Sequence, residues 1–383
     1  MNVLALLVSF GLRLLVGTYT EGTGAEGVYL YELDEETLES RLLSVAPSGN
    51  PSFVIASPDG RMAYSVNEFN DGREGVSAYS IRGDKIARVD SLTIPRAMVD
   101  GSDPCNLLLL DNALVSSNYT GGTLTVFRLT DQGLLNGIGQ YFCFGSEITN
   151  KTTGRQIGKE DAHIHCAVLS PDGKYVFTTN LGNDCIQRFE RREGDYPLGA
   201  PSTAWQNRRT MPAWLYAQEL KGSSLAKLAP NKCGPRHMVF SADGRFAYLL
   251  GELGDRLIVF AYSDGNLRVI QDFAAYSGNG HGSADIHLSP DGRFLYTSHR
   301  LKKDGIAIFK VDPESGIVSA AGYQETGLHP RNFALTPDGR FLLCACRDSG
   351  RIEIYSIDSE SGLLTFTGHS IDLPAPVCVQ ILP

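Results

Sequence analysis

Six side chains carry most of the acid–base and anion-binding capacity of this chain. They are His163 and His165 in Asp161-Ala162-His163-Ile164-His165-Cys166, Arg236 and His237 in Gly234-Pro235-Arg236-His237, Glu252 in Gly251-Glu252-Leu253, and Arg300 in Ser298-His299-Arg300. An imidazole and a carboxylate supply a proton acceptor and donor, and two guanidinium groups clamp an anion or a developing oxyanion. Arg331, Arg347 and Glu68 stand beside them as substrate-contacting candidates, together with His237. Each group alone has a plainer reading. His-x-His on a strand fits a structural pair as well as a catalytic or metal-binding one, Glu252 a solvated strand end, and the arginines salt bridges between repeats. No third metal ligand accompanies the histidines, so no metal or other cofactor is expected.

What brings these residues together is a repeated phrase. A short apolar run leads into a Ser-Pro-Asp-Gly-like turn, followed by an apolar-aromatic run. Its aspartates are Asp59, Asp111, Asp172, Asp243, Asp291 and Asp338, spaced by 52, 61, 71, 48 and 47 residues. A period near 40–50 residues with strand-like content is the mark of a propeller blade. Around Asp243 the four strands read as 236–240, 246–250, 257–262 and 267–271, separated by Gly/Asp/Asn turns. Residues 14–46 form a seventh unit that lacks an inner strand, and the spare run 377–382 has the character to supply it. The expectation is an all-β, seven-bladed propeller of four-stranded blades. The N- and C-terminal strands pair to close the ring and remove its sheet edges.

Counted from the turn aspartates, position +9 holds Glu68, Leu181, Glu252, Arg300 and Arg347, and position −7 holds Ser52, His165, Arg236 and Arg331. The first set ends the second strand and the other begins the inner strand. Those strands are antiparallel, so both sets fall at one end of the blades, around one mouth of the central channel. The apolar residue at +5 (Tyr64, Phe177, Tyr248, Tyr296 or Leu343) is expected to pack between blades. The Asp111 unit is one residue short and has lost the Pro-Asp-Gly form.

The whole of 1–383 is read as one domain. Residues 1–12 are a disordered segment or remnant leader, and 145–161 and 191–232 are insertions, the second carrying Trp205, Trp214, Arg208, Arg209, Lys221, Lys227 and Lys232. A net charge of −9 without long blocks of one sign excludes a nucleic-acid-binding face and leaves room for a local arginine cluster. No run of about 20 apolar residues marks a membrane span. Eight cysteines without Cys-x-x-Cys, and an apolar Val3–Leu12 run with no basic residue before it, point to reduced thiols and a cytoplasmic protein. Export is the alternative if that run is a signal segment. A monomer or weak homo-oligomer is expected.

Taken together, Leu15-Val16-Gly17-Thr18-Tyr19-Thr20, Asn118-Tyr119-Thr120-Gly121-Gly122, His163-Ile164-His165, Leu181-Gly182-Asn183-Asp184, Gly234-Pro235-Arg236-His237 and Glu252-Leu253 resemble the seven-bladed lactonase family over nearly the whole chain. That family joins propeller-type 6-phosphogluconolactonases to carboxy-cis,cis-muconate cyclases. The resemblance implies hydrolysis of 6-phospho-D-glucono-1,5-lactone, a small anionic sugar lactone of the pentose phosphate pathway. It also implies a site of Arg236, Glu252, Arg300 and either His163 or His165, with repeat equivalence to Arg236 favouring His165. His165 or Glu252 would activate water, Arg236 would face the oxyanion, and Arg300 would hold the phosphate or share the oxyanion. The family pattern has Asn where this chain has Gly251, His299 and Cys346. Three rivals predict different chemistry. A muconate cycloisomerase would consume a diene, a divalent-metal sugar lactonase would be EDTA-sensitive, and a non-catalytic binding platform would be indifferent to Glu252→Gln.

Overall fold

The computed structural model describes residues 11–95, 101–144, 147–149, 156–159, 162–207, 233–278 and 280–383. Seven four-stranded antiparallel sheets follow one another around a ring, with a separate two-stranded ribbon from Glu147–Thr149 and Gln156–Lys159. Blades 1 to 6 cover residues 54–93, 104–143, 164–206, 235–274, 283–325 and 330–372. Blade 7 combines Leu12–Thr18, Gly27–Leu33 and Ser40–Pro47 with the C-terminal strand Pro376–Ile381, which pairs antiparallel to Leu12–Thr18 as the inner strand. The split seventh unit thus closes the ring.

Outside blade 2 the repeated phrase forms the same hydrogen-bonded hairpin each time. In blade 4, Ser241 Oγ donates to Asp243 Oδ1 at 2.6 Å, and the Arg245 N–H donates to the same oxygen at 3.0 Å. Gly244 takes a φ of +71°, which a Cβ would disfavour. Ser289–Asp291 and Thr336–Asp338 repeat the arrangement. The serine bond, with help from the Arg245 N–H and guanidinium, draws the Asp243 carboxyl down to about 2, so the turn is ionised at any working pH. Blade 2 has a two-residue turn at Asp111-Asn112, between Leu110 and Ala113.

The +5 residues Tyr64, Phe177, Tyr248, Tyr296 and Leu343 are all buried. Three of them reach the next blade through their hydroxyls: Tyr64 to Gly133 O at 2.9 Å, Tyr248 to Gly316 O at 3.1 Å and Tyr296 to Gly362 O at 3.0 Å. A buried tyrosine needs a partner for its hydroxyl, and here that need locks blade to blade. The 191–232 stretch is not all insertion. Ser202–Gln206 pairs with Cys185–Glu190 as the outer strand of blade 3, and Trp205 meets Phe260 edge-on at 5.8 Å. Trp214, Arg208, Arg209, Lys221, Lys227 and Lys232 lie outside the described residues, as does most of the apolar run before Leu12. All eight cysteines are free, seven of them buried, with Cys344 and Cys346 Sγ atoms 3.8 Å apart on one strand face. Among the described residues no helix is long and apolar enough to cross a membrane.

Candidate active site at the channel mouth

Two rings of equivalent positions build the mouth. The first is the residue that follows the second strand of each blade: Glu68, Tyr119, Leu181, Glu252, Arg300, Arg347 and, in blade 7, Tyr19. The second is a β-bulge on the inner strand. In blade 4, Pro235 pairs with Gly251 and His237 with Leu250, so Arg236 is an extra residue with no partner. His165, Arg331 and Cys105 are left over in the same way in blades 3, 6 and 2, and blade 5 has its irregularity across Ala284-Asp285. A bulge breaks the alternation of a strand and re-aims one side chain. Here it turns the −7 residues of blades 3, 4 and 6 towards their counterparts on neighbouring blades.

The motifs hold this geometry locally. Gly234 takes a φ of +66°, and a Cβ there would lie 2.7 Å from Leu253 Cγ, so the glycine and the Leu after Glu252 require each other. Glu252 N donates to Gly234 O at 2.8 Å. From blade 3, the Asp184 carboxylate accepts from Gly234 N at 2.8 Å and Cys233 N at 3.1 Å, fixing the turn that delivers Arg236. Gly251 stands where a Cβ would fall 2.4 Å from Cys233 Sγ and 2.6 Å from Cys233 O, so an Asn does not fit here. His299 is fully buried, bonded to Ser283 Oγ at 2.9 Å and Thr297 Oγ1 at 2.8 Å, and stacked on Tyr276 at 4.2 Å.

Glu252 is the hub. Its Oε2 accepts from Arg236 Nε at 2.9 Å and its Oε1 from Arg300 Nη2 at 2.7 Å, while His165 Nε2 lies 3.9 Å from Oε2. Burial pushes the Glu252 carboxyl up, but Arg236, Arg300 and Arg331 outweigh it and hold the group below its ordinary range. His165 is driven well below 6.5 by burial and then by Arg236, His237 and Arg331, so it is a neutral imidazole at pH 7. Its ring meets Tyr119 and His237 edge-on at 5.5 and 5.2 Å, and its Nδ1 lies 3.9 Å from Cys105 Sγ. His163 stacks on the other side of Tyr119 at 4.4 Å, with its Nδ1 2.9 Å from Tyr119 O.

The arginines divide sharply. Every side-chain nitrogen of Arg300 is engaged: Nε donates to Gly282 O at 2.8 Å, Nη1 meets His329 Nε2 at 3.2 Å and Nη2 binds Glu252. Burial and the nearby Arg236 lower it to about 9. Arg236 donates through Nη1 to Ala284 O at 2.6 Å and towards His237 Nε2 at 3.3 Å, and its Nη2 bonds no described residue. Arg331 makes no hydrogen bond to any described residue. Its Nη2 is 3.8 Å from Glu68 Oε2, its guanidinium sits 5.5 Å above the Tyr19 ring, and its side chain is 15 % exposed. Glu68 is itself occupied by Tyr19 Oη at 2.9 Å and by Ser52 Oγ. Arg347 does not join the cluster. It begins a single 3-10 turn, Arg347–Ser349, and pairs with Asp348 at 2.6 Å. His237 lies beneath Arg236, bonded to Asp285 at 2.7 Å.

Tyr19, Tyr119, Cys105 and Asp285 are neighbours of the site that counting from the turn aspartates does not reach. Among the described residues no cluster of His, Cys, Asp and Glu has a metal-binding arrangement. The arrangement offers a neutral base, the ionised Glu252 carboxylate and three guanidinium groups, one of them without a hydrogen bond to any described residue. Such a set can accept a proton and can polarise an anionic, oxygen-rich substrate without needing a nucleophilic side chain.

The chain belongs to the lactonase, 7-bladed β-propeller family, whose family model matches residues 13–209 and 216–381. It is 33 % identical over 361 residues, 92 % of this chain and 94 % of the relative, to the 6-phosphogluconolactonase of Formosa agariphila. It is 32 % identical to that of Bacillus subtilis, over 96 % and 97 % of the two chains. A solved structure from Bacteroides fragilis, provisionally assigned as a 6-phosphogluconolactonase, superposes with a TM-score of 0.83 at 38 % identity, covering 98 % of this chain and 99 % of its own. The periplasmic gluconolactonase of Pseudomonas aeruginosa superposes at 0.81 and 28 % identity, over 97 % and 99 %.

Proposed function

We propose that this protein hydrolyses 6-phospho-D-glucono-1,5-lactone to 6-phosphogluconate, with His165 as base, Arg236 at the oxyanion and Arg331 at the anionic end of the substrate. The observation that carries the reading is the unspent Arg331 guanidinium facing a neutral His165 and a tethered Arg236 across one mouth. The names of the relatives at 32–33 % identity support the same substrate class.

The division of labour follows from which groups are free. Both Glu252 oxygens already accept a guanidinium, and the group is held ionised, so it is a poor proton acceptor and a good tether. His165 has an unprotonated nitrogen and no close hydrogen bond to its side chain. It removes a proton from water as the oxygen attacks the lactone carbonyl carbon. The Nη2 of Arg236 stabilises the oxyanion, an effect worth about 3–4 kcal/mol for one well-placed donor. Collapse expels the ring oxygen, which takes the proton back from His165. A bound anion also neutralises the positive field that depresses His165, and so raises its basicity when substrate is present. Arg300, with its three nitrogens engaged, positions Glu252 and leaves the phosphate to Arg331. The free thiols support a reducing, cytoplasmic setting.

The test is a lactone panel, phosphorylated and unphosphorylated, assayed with purified protein. Ring opening above the spontaneous rate, fastest at low concentration of the 6-phospho lactone, is expected. A folded protein that accelerates none of them overturns the reading.

A further inference from the structure

Resting on that reading, we propose that Asp285 is a positioning residue for the reaction: through His237 it fixes the guanidinium of Arg236. Asp285 lies at the bulge of blade 5, one residue after Ala284, the counterpart of Arg236, and is only 3 % exposed. No lysine or arginine pairs with it among the described residues. Its Oδ1 accepts from His237 Nδ1 at 2.7 Å and from the Ile286 N–H at 3.0 Å. Its Oδ2 accepts from His287 Nε2 at 2.9 Å, from Asn332 Nδ2 and from the Phe333 N–H at 3.3 Å. Asn332 in turn accepts the Val379 N–H at 2.7 Å, so the carboxylate is braced against blade 6 and the ring-closing strand.

The chemistry at the other end is one-directional. A guanidinium nitrogen donates and never accepts. The 3.3 Å approach of Arg236 Nη1 therefore requires a lone pair on His237 Nε2. A neutral imidazole with a lone pair on Nε2 carries its proton on Nδ1, and among the described residues the acceptor placed for that proton is Asp285. His237 is kept neutral because burial, and then Arg236, hold it near 4. With the tautomer set, Arg236 is anchored at three points: Glu252 Oε2, Ala284 O and His237 Nε2. A carboxylate that orients a histidine in this way acts on the group the histidine touches. His287, whose side chain is 41 % exposed, packs against the Asp285 carboxylate, which raises its proton affinity against burial.

The test uses the full-length protein and the variants Asp285→Asn, His237→Gln and the double change. In Asp285→Asn the amide oxygen keeps the bonds from Asn332 and Phe333, and the amide N–H₂ turns to His237 Nδ1. The imidazole proton then moves to Nε2 and confronts Arg236. A loss of kcat/KM of roughly 10- to 100-fold, mostly in kcat, is expected. His237→Gln places an amide oxygen where Nε2 stood, supplying the acceptor without Asp285, and loses less than about tenfold. The double variant should then match His237→Gln alone, because the two changes act through one contact. Nitrogen-15 spectra of labelled histidine read the tautomer directly: Nδ1–H in wild type, Nε2–H in Asp285→Asn. Independent, multiplying losses overturn the proposal. A wild-type Nε2–H tautomer overturns it too, even if Asp285→Asn fails to fold. A wild type that opens no lactone defeats the functional reading, while the tautomers still decide whether Asp285 sets His237.

Discussion

Arg331→Gln and Arg300→Gln should fail in opposite ways. Both remove a guanidinium from the mouth, but their bonds differ. Arg300 gives up hydrogen bonds to Glu252, Gly282 O and His329, and leaves a largely buried carboxylate short of one partner. Breaking a buried ion pair of this kind costs about 3–5 kcal/mol, so Arg300→Gln should unfold at a clearly lower temperature. Arg331 gives up one 3.8 Å contact and a ring contact, and relieves its repulsion with Arg300. Its loss should therefore lower the melting temperature clearly less than that of Arg300. Its cost should come in binding instead. Losing one partner of an enclosed charge pair is worth about 2–5 kcal/mol, and 1.4 kcal/mol is a factor of ten. KM for the phosphorylated lactone should therefore rise by about 30-fold or more, with kcat changed far less and the unphosphorylated lactone little affected. Steady-state kinetics on both lactones, with thermal melts of each variant, settle the matter. Equal losses on both substrates, or a melt for Arg331→Gln as low as that of Arg300→Gln, would refute the reasoning.

Other outcomes follow from the same structure. The acid limb of kcat/KM should lie well below 6.5, because the free enzyme holds His165 neutral, and it should move upward in Arg331→Gln, where one cation opposing its protonation is gone; a limb that stays put in the pH profile contradicts His165 as base. Gly251→Ala should destabilise by about 1–3 kcal/mol through overpacking against Cys233, seen as a lower melting temperature even though Gly251 has no left-handed backbone. Acid should weaken the fold through its buried histidines. His237, His299 and His329 are lowered to about 4, 3 and 3, first by burial, so the unfolded chain binds more protons as pH falls from 6.5 towards those values. Each such group contributes a slope of up to about 1.4 kcal/mol per pH unit, with stability present above 6.5 and lost below it. His299→Asn should flatten the fall of melting temperature with pH; His287, raised instead, titrates in the other sense. An unchanged slope would show that His299 is not buried as a neutral ring.

The turn aspartates made the fold legible because five of the six, all but Asp111, are bonded into the same hairpin, so sequence distance from them converts directly into place on a blade. The conversion reached His165, Arg236, Glu252, Arg300, Arg331 and Glu68. It missed Tyr19 because blade 7 has no turn of its own before that strand, its inner strand coming from the other end of the chain. It missed Tyr119 and Cys105 because the blade 2 hairpin is one residue shorter, so each falls one place off the count. Counting in blade 5 lands on Ala284, while the bulge there presents Asp285. Arg347 shares a position with Glu252 but not its direction, since the next residue, Asp348, captures it. Nor could spacing tell a spent guanidinium from a free one. That difference between Arg300 and Arg331 lies in contacts from other blades, which only the folded ring brings together.

The central claim is that the mouth of this propeller opens a phosphorylated sugar lactone. Its most direct test is the initial rate of 6-phospho-D-glucono-1,5-lactone hydrolysis by the wild-type protein, measured against D-glucono-1,5-lactone and against the spontaneous reaction. Strong acceleration is expected, with a KM at least tenfold lower for the phosphorylated lactone. No acceleration of either lactone, or turnover of a carboxylated muconate diene in their place, would contradict it.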